Sequence, residues 1–179
     1  MNDYRELDQL FKDRGYSDYK WIKADSIVVS QWVRNKCIYG CGSYGQKGSC
    51  PPNNPSVPEC REFFGDYSNV ALFHFEKRLE DPEARHKWSK GVSKKLLKLE
   101  REVFLRGYYK AFLLVMDECN LCKECGKSRE NCKNPKLSRP SPEGMAVDVF
   151  ATVRHAGLPI EVVRDYQQKM DRYAFLLVE

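Results

Sequence analysis

Four cysteines within one short stretch, Cys119, Cys122, Cys125 and Cys132, follow the pattern C-x2-C-x2-C-x6-C. Two residues between successive sulfurs let them turn inward around one centre without stretching the backbone, and thiols this dense are hard to explain as packing. The first three match the bacterial ferredoxin run C-x2-C-x2-C-x3-C-P, whereas the fourth is delayed and followed three residues later by Pro135. Cys132 either completes this centre or crosses to a neighbouring one, as the fourth cysteine does in two-cluster ferredoxins. The candidates are a [4Fe-4S] cluster, a zinc site and buried thiols. Structural zinc more often uses two distant C-x2-C knuckles, so the spacing points first to iron and sulfide, with zinc as the alternative.

A second group, Cys37-x3-Cys41-x8-Cys50-x9-Cys60, is less regular. Cys37, Cys41 and Cys50 lie in a glycine-rich stretch that ends in Pro51-Pro52, a composition suited to curling around a ligand and unsuited to a helix interior. Cys60 shares a predicted helix face with Val57, Phe64 and Tyr67, so two roles stay open for it, ligand or small core residue. The difference carries function. Four thiolates close a cluster and suit it to passing electrons; three leave one iron open to water or substrate, which makes it a Lewis acid. Tyr39 and Tyr44 are placed to shield a cluster or hydrogen-bond a ligand. Around the other group, Lys123, Lys127, Arg129, Lys133, Lys136 and Arg139 outnumber Glu124 and Glu130, a balance that would offset an anionic cluster, although a solvated loop accounts for the lysines equally well.

The elements that must position these thiols read as an alternating series. An amphipathic helix around Tyr4 to Arg14 precedes a β-branched strand, Ser26 to Val33, that runs into the first cysteine loop (37–60). A short helix over Pro55 to Tyr67, a strand at Asn69 to Phe75 and a long helix from Pro82 to about Arg106 follow. The strand Ala111 to Met116 then enters the second loop (117–142). Ser141 and Pro142 suit the start of a helix running to His155, stopped by Gly157 and Pro159. A short helix and the strand Ala174 to Val178 close the chain. This order predicts an α/β fold: one layered domain over 1–179, with a central mixed sheet and both cysteine loops at the carboxyl edge of its strands.

Composition narrows the classes further. Lys and Arg total 30 against 25 Asp and Glu, a net charge of +5, too small by itself to mark a nucleic-acid binder. The first residues lack a secretory pattern and no apolar run suits a bilayer, so the expectation is a cytoplasmic protein with no membrane partner. In that reducing compartment cysteines at short spacings read as metal ligands rather than as disulfides. His74 alternates with apolar neighbours as a packed strand residue, and His86 and His155 have no partner at ligand spacing. The lysines between Lys87 and Lys110 could face an acidic redox partner protein or RNA, although a solvated face accounts for them without any partner. The glycines of the first loop lack any nucleotide-binding spacing.

Taken together, the block from Cys37 through Cys41, Tyr44-Gly45 and Cys50-Pro51-Pro52, with Cys119-x2-Cys122-x2-Cys125-x6-Cys132 and Arg139-Pro140-Ser141-Pro142-Glu143, resembles a cysteine-rich predicted metal-binding family of unknown function. That family is common in methanogens and other anaerobes. The resemblance spans about Trp21 to Gly157 and implies metal binding without naming a reaction. The expectation is therefore a protein with one or two [4Fe-4S] clusters, ligated from among Cys37, Cys41, Cys50, Cys60, Cys119, Cys122, Cys125 and Cys132, in anaerobic electron transfer. The alternatives are an enzyme with an open three-cysteine cluster, its substrate unspecified, and a zinc-stapled interaction module.

Overall fold

The run Val70-Ala71-Leu72-Phe73 is apolar at every position, as a strand covered on both faces must be, and it lies in the first half of a nine-residue strand in the computed structural model, which describes residues 4–179. The residues before Tyr4, included in the expected 1–179 domain, lie outside the described residues. In chain order the elements are α1 (Arg5–Asp13), β1 (Tyr19–Lys23), a 3-10 turn (Ala24–Ser26), α2 (Gln31–Gly40), α3 (Val57–Gly65), β2 (Asn69–Lys77), α4 (Pro82–Leu105), β3 (Phe112–Leu114), a second 3-10 turn (Glu143–Met145), α5 (Val149–His155) and β4 (Met170–Leu177). The sheet order is β1-β2-β4-β3.

The alternation of side chains along β2 and β4 sends one set to each face. Val70, Leu72, Phe175 and Leu177 pack with Cys60 and Phe64 of α3 and Val149 and Val153 of α5. Ala71, Phe73, Ala174 and Leu176 pack with Leu7, Leu10 and Phe11 of α1 and Leu96, Leu99 and Val103 of α4. Helices therefore cover both faces, as the α/β reading requires. Local signals start them. Asp81 accepts hydrogen bonds from the Glu83 and Ala84 N–H groups just ahead of α4, and Ser56 with Glu59 forms a capping box at α3.

Four details differ from the sequence expectations. Every pairing in the sheet is antiparallel, so the sheet is not mixed. The strand expected at Ser26 to Val33 is instead a single bridge, Val29 with Val147, followed by helix α2. Val33, Arg34 and Cys37 recur at helical spacing, and that period outweighs the β-branched run ahead of it. The helix expected from Pro142 to His155 is interrupted because Ala146 takes a left-handed conformation, φ 59°, and Val147 joins the bridge. Ahead of β4 no short helix forms; Asp165 instead accepts hydrogen bonds from the Gln167 and Gln168 N–H groups in a turn, and β4 starts at Met170. No described helix is long and apolar enough to cross a membrane.

Both cysteine segments gather beyond the carboxyl end of β3. The second arrives there directly from the strand, whereas the first arrives through α2, since β1 runs antiparallel to β2. The exit of the second segment is fastened by Glu100 of α4, whose Oε1 accepts from the Leu113 N–H at 2.8 Å and from Arg139 Nε at 2.8 Å. The Arg139 guanidinium also lies over the Phe112 ring, 5.4 Å from its centroid.

Candidate metal centre

Cys119, Cys122, Cys125 and Cys132 line one cavity together with Lys47, Gly48, Ser49, Asn134 and Ser138. The last thiol, delayed in sequence, thus returns to its own group rather than crossing to the other. Asn134 Nδ2 donates to Cys122 Sγ at 3.0 Å. Burial pushes the Cys125 thiol up, but hydrogen bonds from the Gly48 and Lys127 N–H groups and the charges of Lys47 and Lys133 outweigh it and leave this thiol below its ordinary range. Ser49 adds a more pointed observation: it is 3 % exposed and its Oγ has no hydrogen-bond partner. A buried hydroxyl without a partner is costly, so an unpaired donor on a residue lining the four-thiol cavity fits a bound group that accepts from it.

The first group separates. Cys37, Cys41 and Cys50 line a neighbouring cavity of about 190 Å³ with Tyr44, Asp117, Glu118 and Glu143. Cys37 lies in the last turns of α2, and its thiol meets the Glu143 carbonyl oxygen at 4.0 Å. Cys41 is the extended residue at which α2 ends, four residues beyond Cys37, and both line the cavity. Cys60 is not among the lining residues. It is fully buried in α3, donates to the Pro55 carbonyl at 3.5 Å and approaches Arg34 Nη2 at 4.0 Å. Arg34 in turn donates to the carbonyls of Pro55 and Gly144, pinning α2 and the start of α3 to the turn that carries Glu143. Tyr44 joins the cavity, whereas Tyr39 is 86 % exposed and turned to solvent.

The two cavities share a wall one backbone thick. Ser49 and Cys119 line the four-cysteine cavity, while their chain neighbours Cys50 and Glu118 line the three-cysteine one. Their electrostatics differ. Burial, followed by the charges of Glu118, Cys41 and Cys37, pushes the Cys50 thiol up to about 12. Burial also raises Cys37, with Cys41 adding to it and Arg34 opposing. Asp117 sits above its ordinary range through burial, although Arg172, at 3.6 Å, pulls it down. Glu143 lines this cavity and the one beside it and keeps solvent exposure, yet the protein packed around its carboxyl raises it, and Asp117 adds to the effect.

Those carboxylates are functional candidates that sequence reasoning missed. Asp117 and Glu118 stand immediately before Cys119, a proximity visible in the chain; nothing local connects Glu143 to the first group. His74, by contrast, is held between Asp18 (2.7 Å) and Asp171 (2.9 Å), a packed strand residue away from the cysteines.

With the thiols gathered, the comparison with known proteins becomes informative. The model of the predicted metal-binding protein family DUF2284 matches residues 20–178. The chain belongs to this family. Metal binding is thus what is predicted for the DUF2284 family, and these two cavities are where this member concentrates its thiols. No curated protein and no solved structure matched the chain.

Proposed function

We propose that the chain is a two-centre iron–sulfur protein of anaerobic electron transfer, with a closed [4Fe-4S] site at Cys119, Cys122, Cys125 and Cys132 and an open one at Cys37, Cys41 and Cys50. The observation that carries this reading is the shared wall: a four-thiol and a three-thiol cavity separated by the backbone of residues 49–50 and 118–119. A zinc ion would need its sulfurs about 3.8 Å apart around a point, given Zn–S bonds of about 2.3 Å. Among the described residues no three His, Cys, Asp or Glu side chains stand ready to hold a single ion, and the four-thiol cavity as it stands is about 10 Å³, so it is the C-x2-C-x2-C spacing that favours an iron–sulfur core over zinc.

Bound clusters would supply one-electron transfer at the closed site and an accessible iron at the open one. The chain supplies the rest. Asn134, Gly48 and Lys127 direct N–H groups at thiols of this site, which favours added negative charge there. At the three-thiol site, Asp117 and Glu143 place carboxyl groups on the cavity wall, where they can hold or release a proton beside a ligand. Placement of Cys60 in the core favours the enzymatic form of this reading, in which the open site binds a small substrate. Electron paramagnetic resonance of the reduced, anaerobically reconstituted protein tests it. Added cyanide should alter one of two signals in wild type; identical spectra with and without cyanide would close the open site and leave electron transfer alone.

A further inference from the structure

Next in the chain to residues of the four-thiol cavity, α4 and the segment after Cys132 enclose an open groove of about 610 Å³. Its lining is apolar at the centre: Leu97, Leu121, Phe104 and Leu137, the last two each 51 % exposed. Exposed aromatic and leucine side chains gathered in one trough mark a binding surface rather than the scattered apolar residues of an ordinary exterior. Its rims are basic. Lys94, Lys98 and Arg101 recur on one face of α4, and Lys136 and Arg139 stand opposite. Glu100 is the one acid in the lining, and its carboxylate is already engaged by Arg139 and the Leu113 N–H. The groove therefore offers uncompensated positive charge around an apolar floor.

Leu121 gives this surface its purpose. It lies between Cys119 and Cys122 in the chain, so the residue that forms the groove wall also joins two thiols of the closed site. Whatever occupies the groove stands next to that centre. We propose that the groove docks a small acidic redox protein, which exchanges one electron with the four-thiol centre. This inference rests on the iron–sulfur reading for its chemistry. In the forward step the partner loses one electron and the centre gains it, with no bond made or broken and no proton required. Small, charge-rimmed contacts of this kind suit transient encounters, which are steered by opposite charge and weakened by salt. The modest net charge and the apolar floor favour a protein over a nucleic acid, whose phosphates would seek a continuous basic track.

The experiment pairs binding with electron transfer, using an acidic plant-type [2Fe-2S] ferredoxin as the probe. Its association with the full chain, measured at low ionic strength, should weaken about tenfold or more in the triple variant Lys94→Glu/Lys98→Glu/Arg101→Glu. Phe104→Ser should weaken it at any salt concentration. The rate of reduction by pre-reduced ferredoxin should fall in parallel, while reduction by dithionite stays unchanged. Equal ferredoxin binding by wild type and both variants overturns the proposal, as does charge reversal that abolishes binding of single-stranded RNA or laurate and spares ferredoxin. Failure of the iron–sulfur reading would show separately, as no dithionite bleaching, and the binding arm still decides the groove.

Discussion

Gly48, in the first cysteine segment, lies so close to Ser128, in the second, that a Cβ on Gly48 would stand 2.6 Å from the Ser128 carbonyl oxygen. The two segments, far apart in the chain, are in backbone contact where the Gly48 N–H also reaches Cys125. Asn53 reinforces the junction, donating from Nδ2 to the Lys127 carbonyl at 2.9 Å.

Replacing Gly48 should therefore act on both sites. Neither backbone can shift without moving a thiol, so Gly48→Ala is expected to destabilise the fold by about 1–3 kcal/mol, the usual cost of overpacking. The same substitution should reduce metal retention at the four-thiol site, measured as iron per chain beside a urea titration. Gly42→Ala is the control, since a Cβ there meets nothing within 4 Å.

Cys60 and Cys50 should separate cleanly. Cys60→Ser places a hydroxyl in the apolar cluster between Phe64 and the sheet, costing about 1–3 kcal/mol of stability with metal content unchanged. Cys50→Ala should instead remove about four irons per chain, one cluster's worth. Iron loss on replacing Cys60 would return it to the ligand set.

The Glu100–Arg139 pair has a measurable weight. Glu100→Gln removes the charge that faces Arg139; because Arg139 is partly exposed, the expected cost is about 1–3 kcal/mol rather than that of a fully buried pair. Urea denaturation reads it directly. Loosening of the second segment's exit should accompany it, as faster loss of iron to a chelator.

How far the sequence revealed this arrangement depends on the range of the interactions. The x2 gaps of Cys119, Cys122 and Cys125 are local geometry and forecast their convergence. The helix face of Val57, Cys60 and Phe64 likewise forecast a buried Cys60 as one of two roles. Helix α2 was obscured because Ile27 to Val29 extends into Trp32-Val33, and the β-branched run masked the turn-by-turn spacing of Val33, Arg34 and Cys37. Strand direction and the meeting of Glu143 with Cys37 depend on tertiary packing, which no local pattern encodes. The same holds for Ser49, whose unpartnered hydroxyl is visible only once the cavity has closed around it.

Removing the hydrogen bond from Asn134 to Cys122 should tune the site without dismantling it. An N–H aimed at a ligating sulfur favours the more negative, reduced state, so Asn134→Ala should lower the reduction potential by on the order of 50 mV, about 1 kcal/mol for one electron. Iron content should not change. Spectroelectrochemical titration makes the comparison.

Alkaline pH should destabilise the metal-free protein. The Cys50 thiol is raised from 9.0 to about 12, and burial raises Tyr16 and Tyr67 from 10.0 to about 12. Each group holds its proton more tightly folded than unfolded, so its contribution is fully present below the unfolded value and is lost as pH climbs toward the folded one. Stability in urea should therefore decline from about pH 9 to about pH 12, and Tyr16→Phe should flatten part of that slope.

Iron and acid-labile sulfide, counted per chain after oxygen-free purification and reconstitution, test the central claim most directly. Two centres predict about eight of each, falling to about four in a Cys119→Ala/Cys122→Ala variant. Zinc at one or two equivalents without sulfide, or a chain that retains no iron, would contradict it.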